Sequence, residues 1–174
     1  MLRAQCNDDE ALEALLLSVQ PALLRYLRSV MDDVHADDVL QETLLMVTRK
    51  LVWLQQPELF RAWAFRIASR LAFRHLKKQR RSPEESLDES ELGEMPALAI
   101  DPPSEILQEL LTLDSISPAS RAVLVLHFQE EMTLPEVAAI LQIPLGTVKS
   151  RLAYGLAKIR KQLIQDGRLY ASRH

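Results

Sequence analysis

The stretch TLPEVAAILQIPLGTVKSRL, residues 133–152, decides the fold. Thr133 and Glu136 have the spacing of a capping box, in which each side chain satisfies a backbone N–H at a helix start. Val137, Leu141, Ile143, Val148 and Leu152 can share one apolar core across a tight turn. Ala138, ten residues before Val148, leaves room for two helices to cross closely. The second helix is expected from about Leu145 to Ile164, with Thr147, Lys149, Ser150 and Arg151 exposed in its first turns. Hydroxyls and long cations at a helix N-terminus suit phosphate and base-edge contacts in a major groove. The pattern therefore predicts a helix-turn-helix. A helical hairpin packed on some other element has the same apolar spacing and stays open on this stretch alone.

Working outward, Ser117-Pro118 is an N-cap followed by proline at the first helical position, opening a helix to about Gln129. Ser104–Leu113 reads as a short helix. Before it, residues 82–103 (SPEESLDESELGEMPALAIDPP) hold four of the nine prolines and lack helical periodicity, the signature of a flexible linker. Towards the N-terminus, Leu12, Leu15, Leu16, Val19, Leu23, Leu24 and Leu27 mark one or two helices over residues 10–31, with Pro21 near a kink or boundary. A further helix starts near His35–Asp37 and runs to about Leu51. Val52–Glu58, with Gln55, Gln56 and Pro57, reads as a loop, and a last helix of this half spans about Leu59–Gln79. The fold class is all-α, with two small helical domains over residues 8–81 and 104–168 joined by the acidic linker.

The 174 residues are 48% hydrophobic and include only four glycines, enough apolar side chain for a real core and too little glycine for a turn-rich β fold. No run approaches the roughly 18 apolar residues of a membrane span, so direct membrane insertion is not expected and a cytoplasmic location is. Cys6 is the single cysteine, and the four histidines lack the spacing of helical metal ligands. No metal, other cofactor or catalytic residue is expected, since no nucleophile–base pair or phosphate-cradling loop occurs. The net charge of −3 speaks against nucleic acid only as an average. Residues 1–81 sum to +3, residues 82–103 to −7 and residues 104–174 to +1, so two mildly basic parts flank an acidic one.

The basic residues are concentrated. Between Leu59 and Pro83 there are eight and no acid. Arg66, Arg70, Arg74, Lys77, Lys78 and Arg81 step by three or four, which puts most of them on one helix face, while Ala64, Ala68, Leu71, Ala72 and Leu76 lie round the other side. Such a face can lie along a phosphate backbone and release counterions. Trp53, Phe60, Trp63 and Phe73 lie nearby and can stack on exposed bases. From this helix alone, a solvated basic face with core aromatics reads equally well. Residues 36–42 (ADDVLQE) make an amphipathic helix whose polar face carries Asp38, Gln41 and Glu42; on their own they read as a solvated surface.

Taken in this order, the segments resemble the extracytoplasmic-function sigma factors of the sigma-70 family. ADDVLQETLL (residues 36–45) is similar to the family's polymerase-binding helix. FRAWAFRIA (residues 60–68) with its basic tail resembles the promoter-melting segment, and residues 116–163 resemble the domain that reads the upstream promoter element. The resemblance implies that Asp38, Gln41 and Glu42 face the clamp helices of core RNA polymerase. It implies that the Val52–Glu58 loop and the helix behind it, with Trp53, Trp63, Arg66, Arg70, Arg74, Lys77 and Lys78, open the downstream (minus ten) element and capture a flipped base. Thr147, Lys149, Ser150 and Arg151 would meet the upstream (minus thirty-five) element, and the acidic linker would run toward the polymerase's RNA exit path. The implied partners are core RNA polymerase, promoter DNA and an anti-sigma factor.

The sequence departs from the family at several positions. Arg70 stands where asparagine is usual and Arg74 where aspartate is frequent, both adding positive charge. His127 replaces a common arginine, and Gln142 replaces the usual glycine of the turn. Ala153-Tyr154-Gly155-Leu156 replaces Arg-rich sequence after the recognition core. Gly155 would weaken its helix by up to about 1 kcal/mol relative to alanine. Two other classes fit the same features: a sigma-like interaction protein that binds polymerase or an anti-sigma without productive promoter reading, and a helix-turn-helix regulator that binds DNA alone.

Overall fold

In the computed structural model, residues 1–6, 8–79 and 116–165 are described. The acidic linker and the short helix expected over Ser104–Leu113 lie outside them. Among the described residues every regular element is helical. The first half contains α1 (Leu2–Gln5), α2 (Asp9–Val30), α3 (Asp33–Lys50) and α4 (Phe60–Gln79), with single 3₁₀ turns at Leu51–Trp53 and Pro57–Leu59. The expected Val52–Glu58 loop is thus partly wound into these two turns.

Local chemistry explains the boundaries. Asp8 caps α2 by accepting the Ala11 N–H at 3.0 Å, and Asp32 caps α3 through the His35 N–H at 3.0 Å. The Asp32 carboxyl is held below the usual aspartate range, chiefly by that backbone N–H. Pro21 lies inside α2 without ending it: one continuous helix replaces the boundary the proline suggested. Val19, Leu23, Tyr26, Leu27 and Val30 recur at steps of three and four and are buried. They meet Ala36, Val39, Leu40 and Val47 of α3 and Ala64, Phe65, Ala68, Leu71 and Ala72 of α4 in one core. The alanines let α4 approach closely. Inside this core, Tyr26 packs edge-on against Phe65 at 5.5 Å, and its hydroxyl lies 2.7 Å from Ser69 Oγ. Ser69 donates to the Phe65 carbonyl, so the phenol supplies the proton of the Tyr26–Ser69 bond; burial pushes the phenol's pKa up.

The second half contains α5 (Pro118–Leu124), α6 (Leu134–Leu141) and α7 (Leu145–Gln165). Ser117 caps α5 as expected, but the helix does not run unchanged to Gln129: Val125–Gln129 is a π-helical turn. It stops at Glu130, and Glu131 follows in the left-handed region at φ 56°. The capping box is formed: the Glu136 carboxylate accepts from the Thr133 N–H at 2.8 Å while Thr133 Oγ1 accepts the Glu136 N–H. α6 closes at Gln142, left-handed at φ 55°, where a glycine would carry no side-chain strain. Val137, Ile140, Val148, Leu156 and Ile159 are buried, which makes α6–α7 the helix-turn-helix.

The two halves meet. α2 packs on α5, and α4 packs on α6, so the buried apolar side chains of both form one continuous cluster.

Candidate nucleic-acid interface

Asp38, Gln41 and Glu42 are all exposed on α3, on the side opposite buried Ala36, Val39, Leu40, Thr43 and Val47. Val34 and Leu45 are exposed large apolar side chains on the same helix. Charged groups bordered by apolar ones are suited to a protein partner. The sequence reading named only the polar members.

The basic set lies on α4. Arg66, Arg70, Arg74, Lys77 and Lys78 are exposed, and steps of three and four keep them along one side. Arg74, expected to meet DNA, is also an ion-pair partner within the protein: its Nη2 is 2.6 Å from Glu42 Oε1. That ion pair joins the expected polymerase-facing and DNA-facing sets across the α3–α4 contact. The aromatics divide. Phe60 is buried and Trp63 is half-buried, tilted against it with ring centroids 6.3 Å apart. Trp53 stands 80% exposed at the 3₁₀ turn, beside Val52 at 60%. Trp53 therefore presents its ring to solvent in a turn that precedes the basic helix in sequence.

At the helix-turn-helix, Lys149 is exposed at the start of α7, while Thr147, Ser150 and Arg151 are half-buried. Ser150 Oγ donates to the Gly146 carbonyl at 2.7 Å, so its lone pairs, rather than its proton, face outward. One turn on, Lys158 Nζ sits 5.1 Å from the centre of the Tyr154 ring, a cation–π contact in the segment that departs from the family's Arg-rich pattern. Gly155 faces Leu124, and a Cβ there would lie 2.7 Å from Leu124 Cδ1. The glycine lets α7 approach α5.

Two features escaped the sequence reading. Gln5 of α1 reaches the Leu51 and Leu54 carbonyls, and Glu130 lies buried in the seam between the halves. The Glu130 side chain is 0% exposed; its oxygens take Arg25 Nη2 of α2 at 2.7 Å and Arg61 Nη2 of α4 at 2.5 Å. Arg61 also donates to the Glu130 carbonyl at 3.1 Å. Only an acid adjacent to an apolar run marks Glu130 in sequence, and such an acid ordinarily ends a helix in solvent. Among the described residues, no group of three or more His, Cys, Asp or Glu is placed to hold a metal, and no helix is long and apolar enough to cross a membrane.

An exposed tryptophan before a basic helix face, an acidic helix face and a helix-turn-helix thus lie together on one helical protein. The model of sigma-70 region 2 matches residues 15–82, and that of sigma-70 region 4 matches residues 112–161. The RNA polymerase sigma-E factor of Streptomyces coelicolor is 32% identical over 148 residues, covering 83% of this chain and 81% of that protein. The ECF RNA polymerase sigma factor SigW of Bacillus subtilis is 28% identical over 152 residues, covering 77% and 79%. In structure, the chain is similar to the sigma factor RpoE in its co-crystal with the anti-sigma factor NepR from Bartonella quintana. That match has a TM-score of 0.65 and 21% identity, covering 87% of this chain and 95% of the other. The chain belongs to the sigma-70 family of RNA polymerase sigma factors, in its extracytoplasmic-function group.

Proposed function

We propose that this sigma factor binds core RNA polymerase through Asp38, Gln41 and Glu42 of α3, opens the downstream promoter element with α4 and the turn before it, and reads the upstream element with the start of α7. The observation that carries the reading is the order of surfaces: the region 2 match holds the acidic face and the basic stripe, and the region 4 match holds the helix-turn-helix. Division of labour follows from the chemistry. The exposed cations of α4 attract backbone phosphates without regard to sequence. Trp53 offers a ring against which a base taken from the duplex can stack; stacking of this kind is worth about 1–3 kcal/mol per base and offsets the few kcal/mol of unpairing. Lys149 and Arg151 supply the long cations at the major groove, beside Thr147 and Ser150. Nucleotide addition stays with the polymerase, and this chain supplies the address and the strand opening.

The working location in this reading is the cytoplasm, where polymerase and promoter DNA meet. The domains are taken as region 2 over residues 8–81, the linker over 82–103 and region 4 over 104–168. An anti-sigma factor is the third partner, supported by the complex in which the Bartonella quintana relative was crystallised.

Complex formation with purified core polymerase on a sizing column tests the polymerase-facing assignment. The full chain is expected to co-elute, and the triple variant Asp38→Ala, Gln41→Ala, Glu42→Ala to lose at least tenfold in affinity, the effect of about 1.4 kcal/mol. Undiminished binding by the triple variant contradicts the assignment.

A further inference from the structure

The turn that presents Trp53 is held from outside itself. Its own backbone closes it with the Leu54 N–H donating to the Leu51 carbonyl at 3.0 Å. A further restraint comes from 46 residues away in sequence: Gln5 Nε2 donates to the Leu51 carbonyl at 2.9 Å and to the Leu54 carbonyl at 2.8 Å. An amide NH₂ has two protons, and here each goes to one end of the turn. Val52 and Trp53 lie between the two clamped carbonyls.

Gln5 is itself anchored. Ala4 is buried, and α1 packs on both α2 and the Leu51–Trp53 turn. Arg3 pairs with Asp8 at 2.7 Å, and Asp8 is also the N-cap of α2. The clamp is therefore referenced to the helical core and not to another loop.

We infer that Gln5 is a positioning residue for strand opening, fixing the turn so that Val52 and Trp53 stand as a preformed wedge at the downstream element. This rests on the reading of Trp53 given above. A wedge that must order itself on meeting DNA loses part of its stacking gain to conformational entropy, whereas a clamped one does not. Gln5 itself does not meet DNA; it acts through the turn.

Gln5→Glu is the sharp variant, because it keeps the shape but removes both donors and sets a carboxylate against two carbonyl oxygens. Gln5→Lys keeps donors of sufficient reach and is the rescue. The first measurement uses the full-length chain without polymerase, in a Trp63→Phe background where Trp53 is the only tryptophan left of the two. Fluorescence anisotropy of Trp53 is expected to fall in Gln5→Glu and to return in Gln5→Lys. Unchanged anisotropy overturns the clamp.

The second measurement follows promoter opening with core polymerase on a duplex carrying 2-aminopurine in the downstream element. Gln5→Glu should slow opening about tenfold while polymerase affinity stays within about twofold. In a Trp53→Ala background, Gln5→Glu should have no further effect, since residues acting as a unit are non-additive. An equal effect with and without Trp53, or a matching loss of polymerase affinity, overturns the positioning role. If the unaltered chain opens no promoter, the functional reading falls; the anisotropy result still judges the clamp by itself.

Discussion

Gly155 illustrates how a residue that looks like a defect in sequence becomes a requirement in the fold. Helix propensity alone makes Gly155→Ala favourable by about 1 kcal/mol. The structure reverses the sign, because the new methyl would meet fully buried Leu124 at 2.7 Å, and overpacking of this kind costs about 1–3 kcal/mol. Gly146 is the internal control, with nothing within 4 Å of its Cβ position. Thermal unfolding should show Gly155→Ala less stable by about 1 kcal/mol and Gly146→Ala unchanged or more stable. A stabilised Gly155→Ala would mean that α5 and α7 do not approach as described. The exposed members of the candidate sites, from Asp38 to Lys149, were legible because helical spacing alone sorts faces. Gln5 and Glu130 were not, since their partners lie 46 to 105 residues away and no periodicity encodes them.

At the scale of elements, caps were the most readable signal and helix continuity the least. Ser117-Pro118 and Thr133–Glu136 start α5 and α6 where their chemistry says they should. The π-helical turn after Leu124 was invisible, because Ala122–Leu126 is a run of five buried apolar residues with no polar position to set a phase. Thr133→Ala should lower stability by about 1 kcal/mol in thermal melts. The pH dependence has a definite sign. The Thr133 hydroxyl and N–H hold the Glu136 carboxyl below its ordinary pKa, and the His35 N–H does the same for Asp32. Stabilisation from each is complete above the unfolded-state pKa and fades as pH falls through the lower folded value. Glu136→Gln should therefore narrow the gap to wild type in acid melts, and a gap independent of pH would contradict the cap. For α7, Lys149→Ala with Arg151→Ala should reduce promoter-specific initiation by one to two orders of magnitude, on the order of 1–3 kcal/mol, and spare polymerase binding. Equal loss of both would show the helix has another role.

The whole molecule raises a question of reach. α4 contacts α6 and α6 contacts α7, so with helix axes about 8–10 Å apart the two helices proposed to meet DNA lie on the order of 20 Å from each other. Elements near minus ten and minus thirty-five are about 25 base pairs apart, roughly 85 Å at ~3.4 Å per pair. Under the proposed function, reading both at once requires the seam to open. Glu130 makes the opening chemically asymmetric. Arg25 and Arg61 are 42% and 52% exposed and can hydrate where they stand, whereas the Glu130 carboxylate reaches water only if the halves separate. Arg25→Ala with Arg61→Ala should accordingly expand the chain more than Glu130→Ala in small-angle scattering, from a compact radius of gyration of about 16 Å. Identical curves for the wild type and both variants would contradict this. Sequence alone indicated two helical halves; their shared core was not legible, because each half's apolar face is also what a separate domain would bury.

The most direct test of the central claim is transcription by core RNA polymerase with the purified protein on a library of genomic promoters. Discrete start sites preceded by a two-element motif of fixed spacing are expected, with dependence on the upstream element lost in Lys149→Ala, Arg151→Ala. Starts no different from those of core polymerase alone, in samples where the complex has formed, would contradict it.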